Sequence, residues 1–219
     1  MEMHWATVWE AVADTVPEAP AVTNGDTTRT WREYDHRAAR LAAAFDAAGL
    51  GHDSKIALYL YNGNEYLETQ YAAFKVRGVP VNVNYRYLDE ELRYLLDNSD
   101  AEALVFHSSL GDRVARVVDR LPDLKLLIEV DDGPADTVDR VDGALTYEQV
   151  IVDHDPMPRI ERSDDDAYSV GSNQSAVIPD ARRGDDWQSA GQVLPVLDRR
   201  ACCLGWGIQT KGQSRIGRG

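Results

Sequence analysis

The sequence contains only two cysteines among its 219 residues, and they are neighbours, Cys202 and Cys203. Adjacent cysteines rarely form an unstrained disulfide, and no third cysteine is available to pair with either of them. These counts exclude a disulfide scaffold and a cysteine-rich zinc site. The five histidines do not replace the missing ligands, because no two have the i, i+4 spacing of a helical metal site. We therefore assign no metal-binding residue.

Long apolar runs are also missing. No stretch approaches the roughly 20 apolar residues that cross a bilayer. The first 18 residues are acidic and amphipathic, whereas a signal peptide has a basic start and an apolar stretch. The sequence thus predicts a cytoplasmic protein without a membrane span. Its 43% apolar and 27% charged residues are typical of a globular protein, with enough chain for one domain, or one and a half.

Positive charge is scarce, and the net charge is −14. Residues 1–166 carry 16 Lys/Arg and 33 Asp/Glu, whereas residues 167–219 carry 7 Lys/Arg and 4 Asp/Glu. An acidic body repels phosphate groups, so we predict no nucleic-acid partner. The surplus of three positive charges in the last part is a poor signal for such binding.

Helices and strands alternate over the first three-quarters of the sequence. A hairpin precedes them, with an Asn-Gly turn between two short strands. Strands that alternate with helices of ten or more residues indicate a parallel sheet covered on both sides. We predict an α/β fold: a partial layered sheet, largely parallel, flanked by helices, with an irregular C-terminal tail. The predicted helices are 6–16, 31–48, 65–77, 89–98, 111–121 and 147–152, and the predicted strands are 21–23, 27–31, 55–61, 79–83, 102–106 and 125–130.

Several local signals refine this prediction. Thr30 followed by Glu33 is the pattern of a capping box at a helix start. Gly78 is expected to end a helix in the left-handed conformation. Trp5 and Trp9 lie four residues apart on the first helix, and we expect them to cover the sheet rather than bind a ligand.

Candidate chemistry is sparse. The acidic runs 131–132 and 164–166 are most simply solvated loops; the second could offer carboxylates to Mg²⁺, but consecutive loop residues seldom converge on one ion. His107-Ser108-Ser109 follows a predicted strand and could be a nucleophile or an anion-binding turn, although a serine helix cap is the favoured interpretation. No Gly-x-Ser-x-Gly elbow and no dinucleotide-binding glycine motif occurs. We assign no catalytic and no cofactor-binding residue.

Residues 71–106 resemble an early signature of the adenylate-forming enzymes, and most closely that of acyl-CoA synthetases. Residues 30–34, Thr-Trp-Arg-Glu-Tyr, are similar to the segment with which the same family begins a helix. The order of elements over residues 4–168 also fits the first part of that family's large N-terminal domain. The signature positions in residues 71–106 are Gly78, Pro80, Asn82, Asn84, Glu91, Leu92, Asp97 and Ala101.

The resemblance implies an ATP-dependent, AMP-forming ligation of a carboxylic acid, fatty or sterol-derived, to coenzyme A through an acyl-adenylate. It implies ATP, Mg²⁺ and coenzyme A for the intact family enzyme and a small carboxylic acid as its substrate. Carboxylate and triphosphate are both anionic, so the family supplies backbone donors and positive charge in a Ser/Thr/Gly-rich loop that ends in Pro-Lys-Gly.

That loop should follow shortly after Asp166-Ala167-Tyr168. Residues 169–184 instead contain scattered small residues and no Pro-Lys-Gly, and Asp180 follows Pro179. In residues 207–214 Lys211 precedes Gly212, which reverses the order of a phosphate loop. We therefore expect this chain to be inactive alone and to bind none of these cofactors tightly.

The sequence thus predicts two parts. Residues 1–168 are an incomplete N-terminal subdomain of an acyl-CoA synthetase, and residues 169–219 are a tail unlike the family, disordered or produced by a reading-frame change. A partial sheet leaves an unpaired edge, so self-association through that edge is expected. The alternative is a non-catalytic α/β binding module with a basic partner-binding tail, whose binding would weaken at high salt.

Overall fold

The computed structural model describes residues 4–133, 141–163 and 166. The predicted tail, residues 169–219, lies outside them. Within the described residues no helix is both long enough and apolar enough to cross a bilayer. The helices are α1 Trp5–Thr15, α2 Trp31–Ala47, α3 Asn64–Lys75, α4 Asp89–Asn98, α5 Gly111–Val117 and α6 Tyr147–Asp153, and the strands are β1 Pro20–Asn24, β2 Thr27–Thr30, β3 Lys55–Tyr59, β4 Val79–Asn82, β5 Ala101–His107, β6 Leu126–Val130 and β7 Leu145–Thr146.

Five strands form one parallel sheet in the order β4-β3-β5-β6-β7, and β1 and β2 form a separate antiparallel hairpin. The predicted α/β class is therefore confirmed, and every predicted helix and strand is present. The short strand β7 was not predicted. It holds only two residues, too few for a periodic pattern to be visible in the sequence.

Both faces of the sheet are buried, because successive strand residues point to opposite sides. In β3, Ile56 and Leu58 join a core cluster with α1, α2, α3 and α6. Ala57 and Tyr59 join a second cluster with α4 and α5. We call these the α2 face and the α4 face of the sheet.

The start of α2 confirms the predicted capping box. The Thr30 backbone N–H donates to Glu33 Oε2 at 2.8 Å, and the Glu33 N–H donates to Thr30 Oγ1 at 3.2 Å. Two backbone donors that have no partner within the helix are thus satisfied. The predicted inward face of α2 is buried and comprises Tyr34, Ala38, Leu41 and Phe45.

The end of α3 differs from the prediction. Arg77, not Gly78, has the positive φ of the left-handed region, at 63°. A Cβ on Gly78 would lie 2.5 Å from Ile56 Cδ1 and 3.0 Å from the Ser54 carbonyl oxygen. Glycine is required there because the chain entering β4 passes close to the chain entering β3.

The tryptophans of α1 also differ from the prediction. Trp9 packs against the rings of Tyr34, Tyr71 and Phe74, which belong to α2 and α3 rather than to the sheet. Trp5 contacts Trp9 and is 42% exposed. The helix α1 therefore forms an outer layer over α2 and α3.

The strand β4 forms one edge of the sheet. The N–H groups of Val79 and Val83 donate to the carbonyls of Ser54 and Leu58 on the β3 side. Alternate residues of a strand point their N–H groups in opposite directions, so Pro80 faces outward, where proline has no N–H to offer. Self-association through an edge stays a prediction, and Pro80 makes β4 a poorer template for it.

Candidate ligand-binding edge of the sheet

The carboxyl ends of four neighbouring parallel strands meet at one edge of the sheet. In open α/β sheets, ligands bind outside these carboxyl ends. The side chains that follow the strands are Tyr61 after β3, Tyr85 after β4, His107 at the end of β5 and Asp132 after β6. This edge is the candidate functional site.

Three aromatic rings lie together at this edge. The ring centroid of Tyr61 is 5.0 Å from that of Tyr85 and 5.0 Å from that of His107. The Tyr61 backbone N–H also donates to His107 Nδ1 at 3.1 Å. Because Nδ1 accepts this bond, the ring proton of the neutral histidine is on Nε2. Burial lowers the pKa of His107, so the neutral form predominates at pH 7.

A groove of about 280 Å³ lies beside these rings, between the chain segments that follow β3 and β4. The segment that follows β4 makes a turn here, in which Asn84 Oδ1 accepts from the Arg86 backbone N–H at 3.0 Å. Asn84 thus stabilises this turn through a bond to nearby backbone. The groove is lined by Leu60, Asn62, Asn82, Val83, Asn84, Tyr85 and Arg86.

Arg113 of α5 fixes the loop that carries this groove. Its Nη1 donates to the carbonyl oxygens of Tyr85 and Tyr87, at 2.9 and 3.1 Å, and to the hydroxyl of Tyr59 at 3.0 Å. The Tyr59 hydroxyl in turn donates to the Tyr87 carbonyl at 2.8 Å. One guanidinium therefore joins α5, β3 and the loop, which holds Tyr85 and Arg86 at the edge.

The serines after β5 do not cap a helix, contrary to the favoured interpretation. The hydroxyls of Ser108 and Ser109 donate to the two carboxylate oxygens of Asp132, at 2.7 and 2.6 Å. The Ser109 backbone N–H donates to the same carboxylate at 2.8 Å. These bonds outweigh partial burial and lower the pKa of Asp132. The turn therefore holds a carboxylate of this chain.

The predicted solvated loop at 164–166 is wrong for the one residue of it that is described. Asp166 is buried and receives two hydrogen bonds from Arg77, at 2.7 and 2.9 Å. His4 and His52 lie within 3.5 Å of the same carboxylate. In the described part of the chain no three potential ligands are gathered as a metal site.

The described residues of this edge carry groups that suit ligand binding. Arg86, Asn62 and His107 supply hydrogen-bond donors, and Tyr61 and Tyr85 supply flat apolar surface. The sequence prediction assigned no residue here, although Asn82 and Asn84 had been singled out as a family signature. The rule that ligands bind at strand ends could have identified these positions, since each directly follows a predicted strand.

Comparison with known proteins places this fold among adenylate-forming ligases. Residues 9–181 match the family described as AMP-binding enzyme. The chain is 35% identical over 187 residues to the medium-chain acyl-CoA ligase Mig of Mycobacterium avium, covering 78% of this chain and 34% of that protein. It is 33% identical over 221 residues to the 3-oxocholest-4-en-26-oate–CoA ligase of Rhodococcus rhodochrous, covering 99% of this chain and 40% of that protein.

A solved structure agrees with these sequence matches. The anthranilate CoA ligase AuaEII, in complex with anthranoyl-AMP, superposes with a TM-score of 0.66 at 17% identity. The superposition covers 74% of this chain and 30% of that one. The chain thus spans between a third and two fifths of the length of the two curated relatives.

Proposed function

Because this chain belongs to the AMP-binding enzyme family, we propose that it supplies the first part of a ligase that joins a carboxylic acid to coenzyme A. The observation that supports this most is the family match over residues 9–181, together with acid–CoA ligases as relatives above 30% identity. ATP, Mg²⁺ and coenzyme A are the proposed cofactors. A fatty or sterol-derived acid is the proposed substrate, since the two relatives are named for such acids.

In this proposal the carboxyl edge of the sheet forms one wall of the ligand site. ATP, coenzyme A and the acid are all anionic, so a wall that faces them needs donors rather than carboxylates. Arg86 provides a cation, and His107 provides a neutral Nε2–H donor. Asp132, an acidic residue of this edge, is held by Ser108 and Ser109, so both of its carboxylate oxygens already accept hydrogen bonds from this chain.

A chimeric enzyme tests the family function. Residues 1–166 of this chain would replace the matching segment of the Mycobacterium avium ligase, and formation of acyl-CoA would be measured with medium-chain and 3-oxocholestenoic acids. We expect the chimera to retain activity on at least one acid, because this segment supplies scaffold and wall. A folded chimera that is inactive on both acids would contradict the proposal. The unmodified relative is the control.

We further propose that the 219-residue chain does not activate acids alone. Residues 169–184 lack the Ser/Thr/Gly-rich loop and the Pro-Lys-Gly that gather donors around a triphosphate. We expect no acid-dependent exchange of pyrophosphate into ATP and no binding of Mg-ATP at micromolar concentration. Acid-dependent exchange above a no-acid blank would refute this.

A reading-frame change is the proposed origin of the tail, residues 169–219. Its few β-branched runs and its Arg pairs 182–183 and 199–200 differ from the regular pattern that precedes them. Reading the encoding DNA beyond codon 168 in the other frames should reveal a Ser/Thr/Gly-rich loop followed by Pro-Lys-Gly. Frames that lack this motif would leave the idea without support.

The second candidate function is a binding module, favoured by one observation. Residues 167–219 carry a net charge of +3 on an otherwise acidic chain. In that case deletion of residues 169–219 would abolish binding to an acidic protein partner, and salt would weaken the intact complex. Light scattering of both forms would also test self-association.

For the ligase we propose a cytoplasmic location.

A further inference from the structure

The segment that follows α6 is held almost entirely by side chains. We call residues 155–163 the strap; they form neither helix nor strand. One backbone bond joins the strap to the domain, from the Met157 N–H to the Ala39 carbonyl at 3.0 Å. The Met157 side chain packs against the core cluster of the α2 face. Arg159 and Arg162 make the described ion pairs of the strap, so its position depends strongly on their carboxylate partners.

The central attachment is a buried ion pair between the strap and α1. Arg162 donates through Nη1 and Nη2 to the two carboxylate oxygens of Glu10, at 2.8 and 3.1 Å. The side chains of Arg162 and Glu10 are 2% and 5% exposed. Glu10 also accepts from Lys75 Nζ of α3 at 2.8 Å, and Lys75 donates to Asp35 of α2 at 2.8 Å. Lys75 therefore has a second carboxylate, whereas Glu10 is the carboxylate that binds Arg162. The Arg162 Nε donates in addition to the Lys75 backbone carbonyl at 3.3 Å.

Two further ion pairs flank the central one. Arg159 donates to both oxygens of Asp14 on α1, at 2.7 and 2.8 Å, near the surface. Just beyond the strap, Asp166 is bound by Arg77, the residue between α3 and β4. Through these pairs α1 and the strap are bound to each other, and Lys75 binds Glu10 to α3.

We propose that Glu10 is a positioning residue that joins α1 and the strap into one cooperative unit, which opens without unfolding of the sheet. A buried cation that loses its partner is expelled toward water, so Arg162 would leave its site and carry the strap with it. The sheet, α2 and α3 keep their own apolar core, and Lys75 keeps Asp35. Opening is therefore expected to stay local.

This unit bears on catalysis only through the proposed function. In a ligase of this family the phosphate loop is expected shortly after Asp166. The strap would therefore determine the position of the chain immediately before that loop. Glu10, on the first helix, would then influence the nucleotide site from a distance without touching the nucleotide. The structural test below requires no catalytic activity, so its failure is distinguishable from failure of the proposed function.

Limited proteolysis of the full chain tests the proposal. Arg162 is buried, whereas Arg159 is exposed, so trypsin cleavage after Arg162 reports release of the strap. Mass spectrometry identifies the new fragment ends. We expect Glu10→Gln to speed cleavage after Arg162 by about tenfold or more, because removing one partner of a buried pair is strongly destabilising. Cleavage after Arg40 and Arg120 should stay at the wild-type rate. Hydrogen exchange should quicken together in residues 5–15 and 155–163.

Two variants make the outcome decisive. Glu18→Gln removes an equally short but exposed pair with Arg32 and should leave strap cleavage unchanged. Glu10→Gln combined with Arg162→Gln removes both buried charges, and it should restore slow hydrogen exchange in α1 relative to Glu10→Gln alone. Equal acceleration at Arg40 and Arg120 would show global unfolding and overturn the proposal. Faster exchange in the strap but not in α1 would overturn it as well.

Discussion

The α2 face and the α4 face of the sheet are stabilised by different kinds of interaction. On the α2 face, charged side chains are buried among apolar ones: Glu10, Glu68, Lys75 and Arg162 are all buried. On the α4 face the buried cluster consists of apolar and aromatic residues, and the one described carboxylate buried beside it, Glu129, accepts from the Val141 N–H at 3.3 Å rather than from a cation. Described ion pairs such as Arg116–Asp89 and Arg120–Glu90 lie at the surface. One sheet thus carries two chemically distinct cores.

The two kinds of interaction contribute differently: apolar burial mainly adds stability, whereas buried ion pairs mainly make the packing specific. Apolar clusters gain stability from burial but tolerate other apolar residues of similar volume. Buried ion pairs add little net stability, because both charges lose their hydration, yet each charge permits only an arrangement in which its partner is present. We infer that the α2 face fixes where α1, α6 and the strap lie, whereas the α4 face mainly supplies apolar stabilisation.

The largest expected effect is on the α2 face, at Glu68 of α3. Its side chain is fully buried and accepts from Arg37 Nε at 2.9 Å and from the Tyr147 hydroxyl at 2.9 Å. Burial raises the pKa of Glu68 despite these donors. We expect Glu68→Gln to lower the free energy of unfolding by about 3–5 kcal/mol, because Arg37 loses its buried counter-charge. Urea unfolding at pH 7 measures this.

Glu148→Gln is the matched control for that prediction. Glu148 pairs with the same guanidinium, at 2.6 Å, but its side chain is 62% exposed. An exposed pair contributes little, so the control should cost far less than Glu68→Gln. Equal losses for the two variants would mean that burial of the charge is not what distinguishes this face.

The next effect is on the α4 face, at Leu96 of α4. Leu96 is buried in the apolar cluster. We expect Leu96→Ala to cost about 2–5 kcal/mol through lost burial and a residual cavity, whereas exposed Leu88→Ala should change the unfolding midpoint little. Leu96→Met, which conserves volume, should cost less than about 1.5 kcal/mol. Glu68→Met should remain costly, and similar tolerance at both sites would remove the contrast between the faces.

The two faces also differ in how much of them could be predicted from sequence. The α4 face follows from periodicity, because Leu92, Leu95 and Leu96 form the apolar stripe of a predicted helix. The Glu10–Arg162 pair joins residues 152 positions apart, and no local pattern indicates such a partner. The same reason explains Asp166, which a local pattern predicted to be solvated.

The candidate site shows the same limit. The predicted parallel sheet implies that the segments following its strands meet at one edge, but no residue of those segments was assigned to a site. The side chains that meet there, such as Tyr61 and His107, are brought together by strand neighbours β3 and β5, which are not consecutive in sequence. Gly78 was predicted to end a helix in the left-handed conformation, but the structure requires glycine there because the backbone passes close to Ile56. Such a contact between distant segments cannot be read from the sequence.

The smallest expected effect concerns His4, which caps α1 beside the buried charges. His4 Nδ1 accepts from the Ala6 N–H at 3.1 Å, and this bond requires an unprotonated Nδ1. Burial and the nearby Arg162 outweigh Asp166 and lower the pKa of His4 to about 4. The unfolded chain, with a histidine pKa near 6.5, therefore binds the proton more readily than the folded chain between pH 6.5 and 4. His4 thus contributes stability at pH 7 that is lost as the pH falls through this window.

Between pH 7 and pH 5 this loss amounts to about 2 kcal/mol from His4 alone. His107 titrates in the same direction and Glu68 in the opposite direction, so the comparison must be made against a variant that changes only His4. His4→Asn keeps a side-chain acceptor at the helix start and does not titrate. Urea unfolding of both proteins at pH 7 and pH 5 should show a smaller loss for His4→Asn. Identical decreases in the free energy of unfolding for the two proteins would show that His4 does not cause the acid sensitivity of the α2 face. The difference between the two faces would then be supported by Glu68 and Glu10 alone.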